Sequence, residues 1–152
     1  MGTMNRSEAA QSLFEEIRKI DNRLRWLGDT LHPELGLTAA KRSILLTLSR
    51  EGPQTVPDIA RERLVSRQVV QTQINDLIKA DLVAPRKNPK HRRSTLIALT
   101  PPGRECIRKM LAKEKELIES TPSNPGFEEM ETLRAGLHRF REALEDLDPH
   151  PQ

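Results

Sequence analysis

Arg67, Gln68, Gln71, Thr72 and Asn75 crowd into one short stretch of this 152-residue chain, and each carries a side chain suited to reading bases. A guanidinium or a carboxamide pairs bidentately with a base edge in a major groove, and a threonine methyl packs on that of thymine. Val70, Ile74, Leu77 and Ile78 recur between them at helical spacing. They are expected on one buried face, with the polar set on the other. Ser66 stands just ahead, where its hydroxyl can satisfy amides that the first helical turn leaves unpaired. The same hydroxyl is a candidate phosphate contact. An amide-rich face can also be simply solvated. Because half or more of protein–DNA hydrogen bonds go to phosphate and sugar, one or two of the five are expected to touch backbone alone.

A second group of side chains follows. The run Lys87-Asn88-Pro89-Lys90-His91-Arg92-Arg93 is strongly basic, with Arg86 immediately before it. Two short apolar segments flank it, Leu82 to Arg86 and Ser94 to Leu99, and the Pro- and Asn-rich tip between them reads as a hairpin. Upstream, Thr55-Val56-Pro57-Asp58 has the spacing of a capping box, with an early proline where its missing amide costs nothing. Ile59, Ala60 and Leu64 are expected to face inward from the short helix it opens. Helix, turn, helix and basic hairpin make a winged helix-turn-helix. Between residues 61 and 93 nine cations stand against three anions, a local charge of +6, whereas the whole chain carries only +3. Positive charge is concentrated where such a motif offers a phosphate surface. Arg86, Lys87, Lys90 and Arg92 are therefore expected to hold backbone phosphates.

Several short motifs recur in a telling order: Leu37-Thr38, Asp58-Ile59-Ala60, Val65-Ser66-Arg67-Gln68 and Asp81-Leu82-Val83. Pro89 then precedes Arg93 by four residues, and Leu99-Thr100-Pro101-Pro102-Gly103-Arg104 closes the set. In this order and spacing the chain resembles the MarR (multiple antibiotic resistance regulator) family over residues 12 to 147. The resemblance implies a mainly α fold with a small β-hairpin wing, a homodimer, and a pseudo-palindromic operator of double-stranded DNA. It also implies a small anionic or aromatic effector between the dimer region and the reading lobe. Arg93 matches the arginine that the family inserts into the minor groove, whose negative potential is strongest where A·T pairs narrow it. One position departs. The family usually has an aspartate two residues before that arginine, and this chain has His91. A carboxylate would orient Arg93 through a charge-assisted bond; an imidazole does not, although its protonated form adds a phosphate contact at lower pH. The family's peroxide sensors carry a reactive cysteine near the start of the chain, and residues 1 to 36 hold none.

Composition narrows the classes further. With 36% hydrophobic and 31% charged residues, the chain suits a helix-rich protein with one modest core. Its four aromatics, Phe14, Trp26, Phe127 and Phe140, all lie outside the basic stretch. Single strands are bound by stacking on aromatic rings, so duplex DNA is the better partner. Cys106 is alone and cannot form an internal disulfide, which fits a reducing cytoplasm and a buried, inert thiol. His32, His91, His138 and His150 show no ligand spacing, so neither a metal nor a cofactor is expected. No nucleophile constellation or glycine-rich phosphate loop points to an enzyme. No apolar run is long enough to span a membrane, and signal-peptide and myristoylation patterns are missing.

The two ends of the chain share a pattern. Leu13, Ile17, Ile20, Leu24, Leu27 and Leu31 alternate spacings of four and three, and so do Met130, Leu133, Leu137, Phe140, Leu144 and Leu147. Such a narrow stripe is a seam for a partner helix rather than a broad core face, with packing inside its own domain as the plainer alternative. Leu13, Ile17, Ile20, Leu24, Leu133, Leu137, Phe140 and Leu144 are therefore the expected dimer contacts. A two-fold would set two reading helices about one DNA turn apart. The last helix carries a net charge of −4 between residues 128 and 148 and does not belong on DNA. Between these ends, Thr38 caps a helix with Ile44, Leu45 and Leu48 inside. Thr100 opens another that runs to about residue 119 with Ile107, Met110, Leu111, Leu117 and Ile118 as its apolar face. Trp26 is a weak candidate to line an effector cleft, since packing is the commoner role of a large aromatic.

The expected architecture is a single compact domain. Residues 7–36 supply a dimerisation helix and loop, residues 37–100 the DNA-binding lobe, and residues 101–148 the C-terminal dimerisation helices. The expected activity is transcription repression relieved by a small ligand. A winged-helix protein-interaction module without sequence-specific DNA binding is the alternative, favoured by His91 and the acidic last helix.

Overall fold

The computed structural model describes residues 5–91, 93–122 and 125–146, so the expectations for Arg92, Leu147 and His150 lie outside the described residues. The helices are α1 (Arg6–Leu31), α2 (Ala39–Glu51), α3 (Val56–Glu62), α4 (Arg67–Lys79), α5 (Pro101–Ser120) and α6 (Phe127–Glu145). The strands are β1 (Gln54–Thr55), β2 (Val83–Lys87) and β3 (Thr95–Leu99). Residues 1–114 and 115–152 form two compact units, the boundary falling within α5.

Local chemistry explains where the helices start and stop. α1 opens on a reciprocal cap: Asn5 Oδ1 accepts from the Glu8 amide at 2.9 Å, and the Glu8 carboxylate accepts from the Asn5 amide at 2.8 Å. It ends at Leu31, ahead of Pro33, because the residue before a proline avoids helical geometry. A single 3-10 turn, Pro33–Leu35, then closes on Gly36 at φ 58. Thr38 and Thr55 cap α2 and α3 through the amides of Lys41 and Asp58.

The sheet is antiparallel in the order β1-β3-β2, with Gln54 opposite Ile97, Val83 opposite Leu99 and Lys87 opposite Thr95. The hairpin was legible; β1 was not, because two residues carry no periodicity and form a strand only by pairing with β3. Ile44, Leu45, Ile59, Val70, Ile74, Leu77, Val83 and Met110 are shut off from water and make the centre of the core.

Three expectations about facing residues need correction. Leu64 does not face inward; it is 92% exposed. α3 stops at Glu62, Leu64 takes φ 53, and the Val65 amide reaches back to the Ala60 carbonyl at 3.1 Å, so the chain reverses and carries Leu64 outward. Ile78 is 38% exposed, since only Val70, Ile74 and Leu77 of α4 reach the core and Ile78 sits at the edge of their stripe. Leu111 and Ile118 are about half exposed for a similar reason: α5 buries a narrow face containing Ile107 and Met110.

The start of α5 is a tight joint. Thr100 Oγ1 donates to the Asp81 carbonyl at 2.5 Å and accepts from the Gly103 amide at 3.0 Å, while the Thr100 amide donates to the Leu82 carbonyl. A Cβ on residue 103 would lie 2.0 Å from the Leu82 oxygen, so only glycine lets the helix begin against that turn.

Candidate nucleic-acid interface

α4 separates its two kinds of side chain cleanly. Ser66 Oγ accepts from the Val69 amide at 3.3 Å and starts the helix. Val70, Ile74 and Leu77 are buried, and Arg67, Gln68, Gln71, Thr72 and Asn75 are all exposed. Gln71 Nε2 donates to Asn75 Oδ1 at 2.9 Å, which leaves the Gln71 carbonyl and the Asn75 amide as an acceptor and donor side by side. Thr72 Oγ1 donates to the Gln68 carbonyl at 3.0 Å. With its hydroxyl turned to the backbone, Thr72 has its methyl left for an apolar contact. The anion on this helix is neutralised from outside: Lys41 Nζ lies 2.8 Å from Asp76 Oδ2, and that contact holds the Asp76 carboxyl below the usual carboxylate range.

The wing is fastened by groups that were not singled out from sequence. Asn88 Nδ2 donates to Ser94 Oγ at 2.8 Å, and Asn88 Oδ1 accepts from the Lys90 amide at 3.0 Å. Ser94 in turn donates to the His91 carbonyl through both its hydroxyl and its amide, at 3.1 and 3.0 Å. Asn and Ser in a hairpin tip are known for such local bonds, which was the signal available. These bonds tie Asn88, Lys90, His91 and Ser94 together with no carboxylate at position 91. Arg86, Lys87, Lys90, His91 and Arg93 are exposed, and among the described residues none of the wing cations forms an ion pair. An open hollow of about 590 Å³ lies between the tip and the start of α3, lined by Thr55, Asp58, Asn88, Lys90, His91 and Arg93 among others. Its one carboxylate, Asp58, is held below its ordinary range first by the Thr55 hydroxyl at 2.6 Å and then by Arg61 at 3.1 Å.

Not every cation of the basic stretch belongs to this surface. Arg63 is partly buried, its Nε and Nη1 lie inside without a partner among the described residues, and burial pulls its pKa down. Arg61 lies on α3 and is paired with Asp58, and the other described cations of the stretch are on α4 and the wing.

Known proteins share this fold. The family model described as MarR family matches residues 35–94. The protein Rv2011c of Mycobacterium tuberculosis, itself uncharacterized, is 34% identical over 102 residues, covering 67% of this chain and 71% of the relative. The chain belongs to the MarR family. Staphylococcus aureus MarR in complex with salicylate and kanamycin superposes with a TM-score of 0.77 at 18% identity, covering 91% of this chain and 93% of that one. Reduced AbfR bound to DNA superposes with a TM-score of 0.74 at 19% identity, covering 93% and 95%. These likenesses establish the winged-helix fold, and the family is one of transcription regulators.

In this MarR-family chain most described residues of the terminal stripes are exposed, while Leu27 and Leu31 at the end of the α1 stripe are partly buried. Leu24 on α1 is 62% exposed and Leu133 on α6 is 54% exposed; Leu13, Ile20, Leu137 and Leu144 are exposed as well, and Ile17 and Phe140 are partly buried. Trp26 is half exposed, with the Arg23 guanidinium 4.2 Å from its ring centre. Cys106 is buried in the core, and that burial pushes its thiol pKa up, away from the reactive thiolate.

Proposed function

We propose that this MarR-family regulator is a cytoplasmic homodimer that represses transcription by binding a pseudo-palindromic duplex, and that a small ligand releases it. The observation that carries the reading is the exposed polar face of α4 beside a wing whose described cations have no carboxylate partner. In this reading Arg67, Gln68, Gln71, Thr72 and Asn75 read the major groove, and Ser66 touches phosphate. Arg86, Lys87, Lys90 and Arg92 hold backbone phosphates, and Arg93 enters the minor groove. The structurally similar AbfR in its DNA-bound form supports a nucleic-acid partner, and the salicylate complex of S. aureus MarR supports a small effector.

The stripe residues Leu13, Ile17, Ile20 and Leu24, with Leu133, Leu137, Phe140 and Leu144, are the surface a second copy would cover. Apolar area left in water forgoes about 25 cal/mol per Å², so heptad-spaced leucines on both terminal helices favour pairing. A two-fold then repeats α4 at groove-matched separation. A ligand that prefers a dimer with a different separation shifts the population away from the DNA-competent form.

The test is retention of a random-sequence duplex pool at rising salt, followed by sequencing of what is retained. Six to ten phosphate contacts imply a loss of roughly 10³- to 10⁵-fold in affinity between 50 and 200 mM salt, and a selected palindrome. Flat salt dependence, or no retention, would leave the protein-interaction module as the better reading.

A further inference from the structure

Two neighbouring residues near the start of α2 reach two different helices. Arg42 is buried, and its Nη1 donates to Asp29 Oδ1 at 3.0 Å and to the Leu37 carbonyl at 2.8 Å, with a longer contact from Nη2 to the Arg25 carbonyl at 3.5 Å. The guanidinium fills a notch in α1: a Cβ on Gly28 would come within 2.2 Å of Nη2. Lys41, one residue earlier, reaches α4 instead, with Nζ 2.8 Å from Asp76 Oδ2. α1 carries one of the apolar stripes and α4 carries the reading face, so the polar path from one to the other runs through two consecutive residues.

Stability is a weak reason for these contacts. Ion pairs near the surface contribute little, and a buried charge can often be replaced by apolar side chains with no net loss. What polar contacts add is direction. The core between α2 and α4, including Ile44, Leu48, Val70 and Ile74, is apolar, and apolar burial is non-directional. A guanidinium bonded in a glycine notch and a 2.8 Å ammonium–carboxylate contact each require one direction of approach. Fixing of register is the best-attested use of such groups.

We propose that Lys41 and Arg42 are positioning residues, which set α4 relative to α1 and thereby fix the half-site spacing that the regulator accepts. The inference rests on the proposed DNA-binding dimer, because spacing has meaning only for two readers joined by a two-fold. One base pair added between half-sites shifts the second by about a tenth of a helical turn, an error that a fixed α1–α4 geometry rejects and a loosened one absorbs.

The experiment uses the full chain and a palindrome selected from the random pool, remade with its half-sites one base pair closer and one farther apart. Wild type, Lys41→Met, Arg42→Met, Gly28→Ala, Lys41→Asp, Asp76→Lys and the Lys41→Asp/Asp76→Lys exchange are compared. The single variants are expected to lose about tenfold of the discrimination between spacings. Their affinity for an isolated half-site stays unchanged in Lys41→Met, Arg42→Met and Gly28→Ala, and the exchange restores discrimination. Should Arg42→Met not fold, Gly28→Ala carries the same arm, because alanine favours the helix while evicting the guanidinium. Folded, dimeric variants that keep the wild-type spacing preference would overturn the inference while leaving the proposed function standing. A wild-type protein that retains no duplex removes both.

Discussion

The reading lobe and the terminal helices draw on the same residue types and treat them oppositely. In the lobe, Ile44, Leu45, Ile59, Val70, Ile74 and Val83 are sealed from water, whereas Leu24 on α1 and Leu133 on α6 are more than half exposed. The lobe closes its core by bringing distant segments together: α2 and α4 meet β3 and β2, and Met110 of α5 is buried among them. The terminal helices keep their apolar residues at heptad spacing on a surface. A contiguous apolar stripe of that kind marks an interaction site, since single chains seldom leave one open. The lobe thus buries its own apolar residues, and much of each stripe stays on the surface.

That contrast can be broken by experiment. The largest effect is expected in the core: Ile74→Ala should cost about 2–5 kcal/mol of unfolding free energy in urea, while Leu24→Ala at low protein concentration should cost no more than about 0.5 kcal/mol. Equal losses would mean that α1 is part of the same core. Next comes Leu133→Glu, which should convert a dimer to a monomer in sedimentation without changing helix content; a species of unchanged mass would exclude α6 from the interface.

Within the lobe the expected effects are smaller and more specific. Gln71→Ala should relax base preference at one position per half-site by about 1–3 kcal/mol, read by competition among single-base variants of the selected duplex. A uniform loss on all sequences would reassign Gln71 to the backbone. The smallest concerns Asp58, whose carboxyl is lowered by the Thr55 hydroxyl and then by Arg61. A lowered folded pKa gives stability that is complete above the ordinary carboxylate value of 3.8 and is lost as pH falls through the folded value. Asp58→Asn should therefore flatten the acid limb of the stability curve, by under about 1 kcal/mol given the exposure of the pair.

Much of the lobe was legible because its signals are local. Ser66, Thr38, Thr55 and Thr100 cap the helices they precede, and the alternation of Val70, Ile74 and Leu77 with Gln68, Gln71 and Asn75 places two faces without any partner in view. Helical and strand periodicities are properties of a few consecutive residues, so the chain alone settles them. Other features were not legible because they depend on a second segment. Leu64 turns outward only because α3 ends where Val65 can reach Ala60, and Arg63 turns inward against the charge count that grouped it with the wing. β1 is a strand by virtue of β3, and the Asn88–Ser94 bond joins the two sides of the wing tip. The space beside Gly28 of α1 is filled by Arg42 of α2, which no local pattern announces. Residue types and their spacing determined which chemistry this protein carries and on which elements. Tertiary structure decided which charges face outward and what α4 packs against, because burial and hydrogen-bond partners are fixed only when segments far apart in the chain meet.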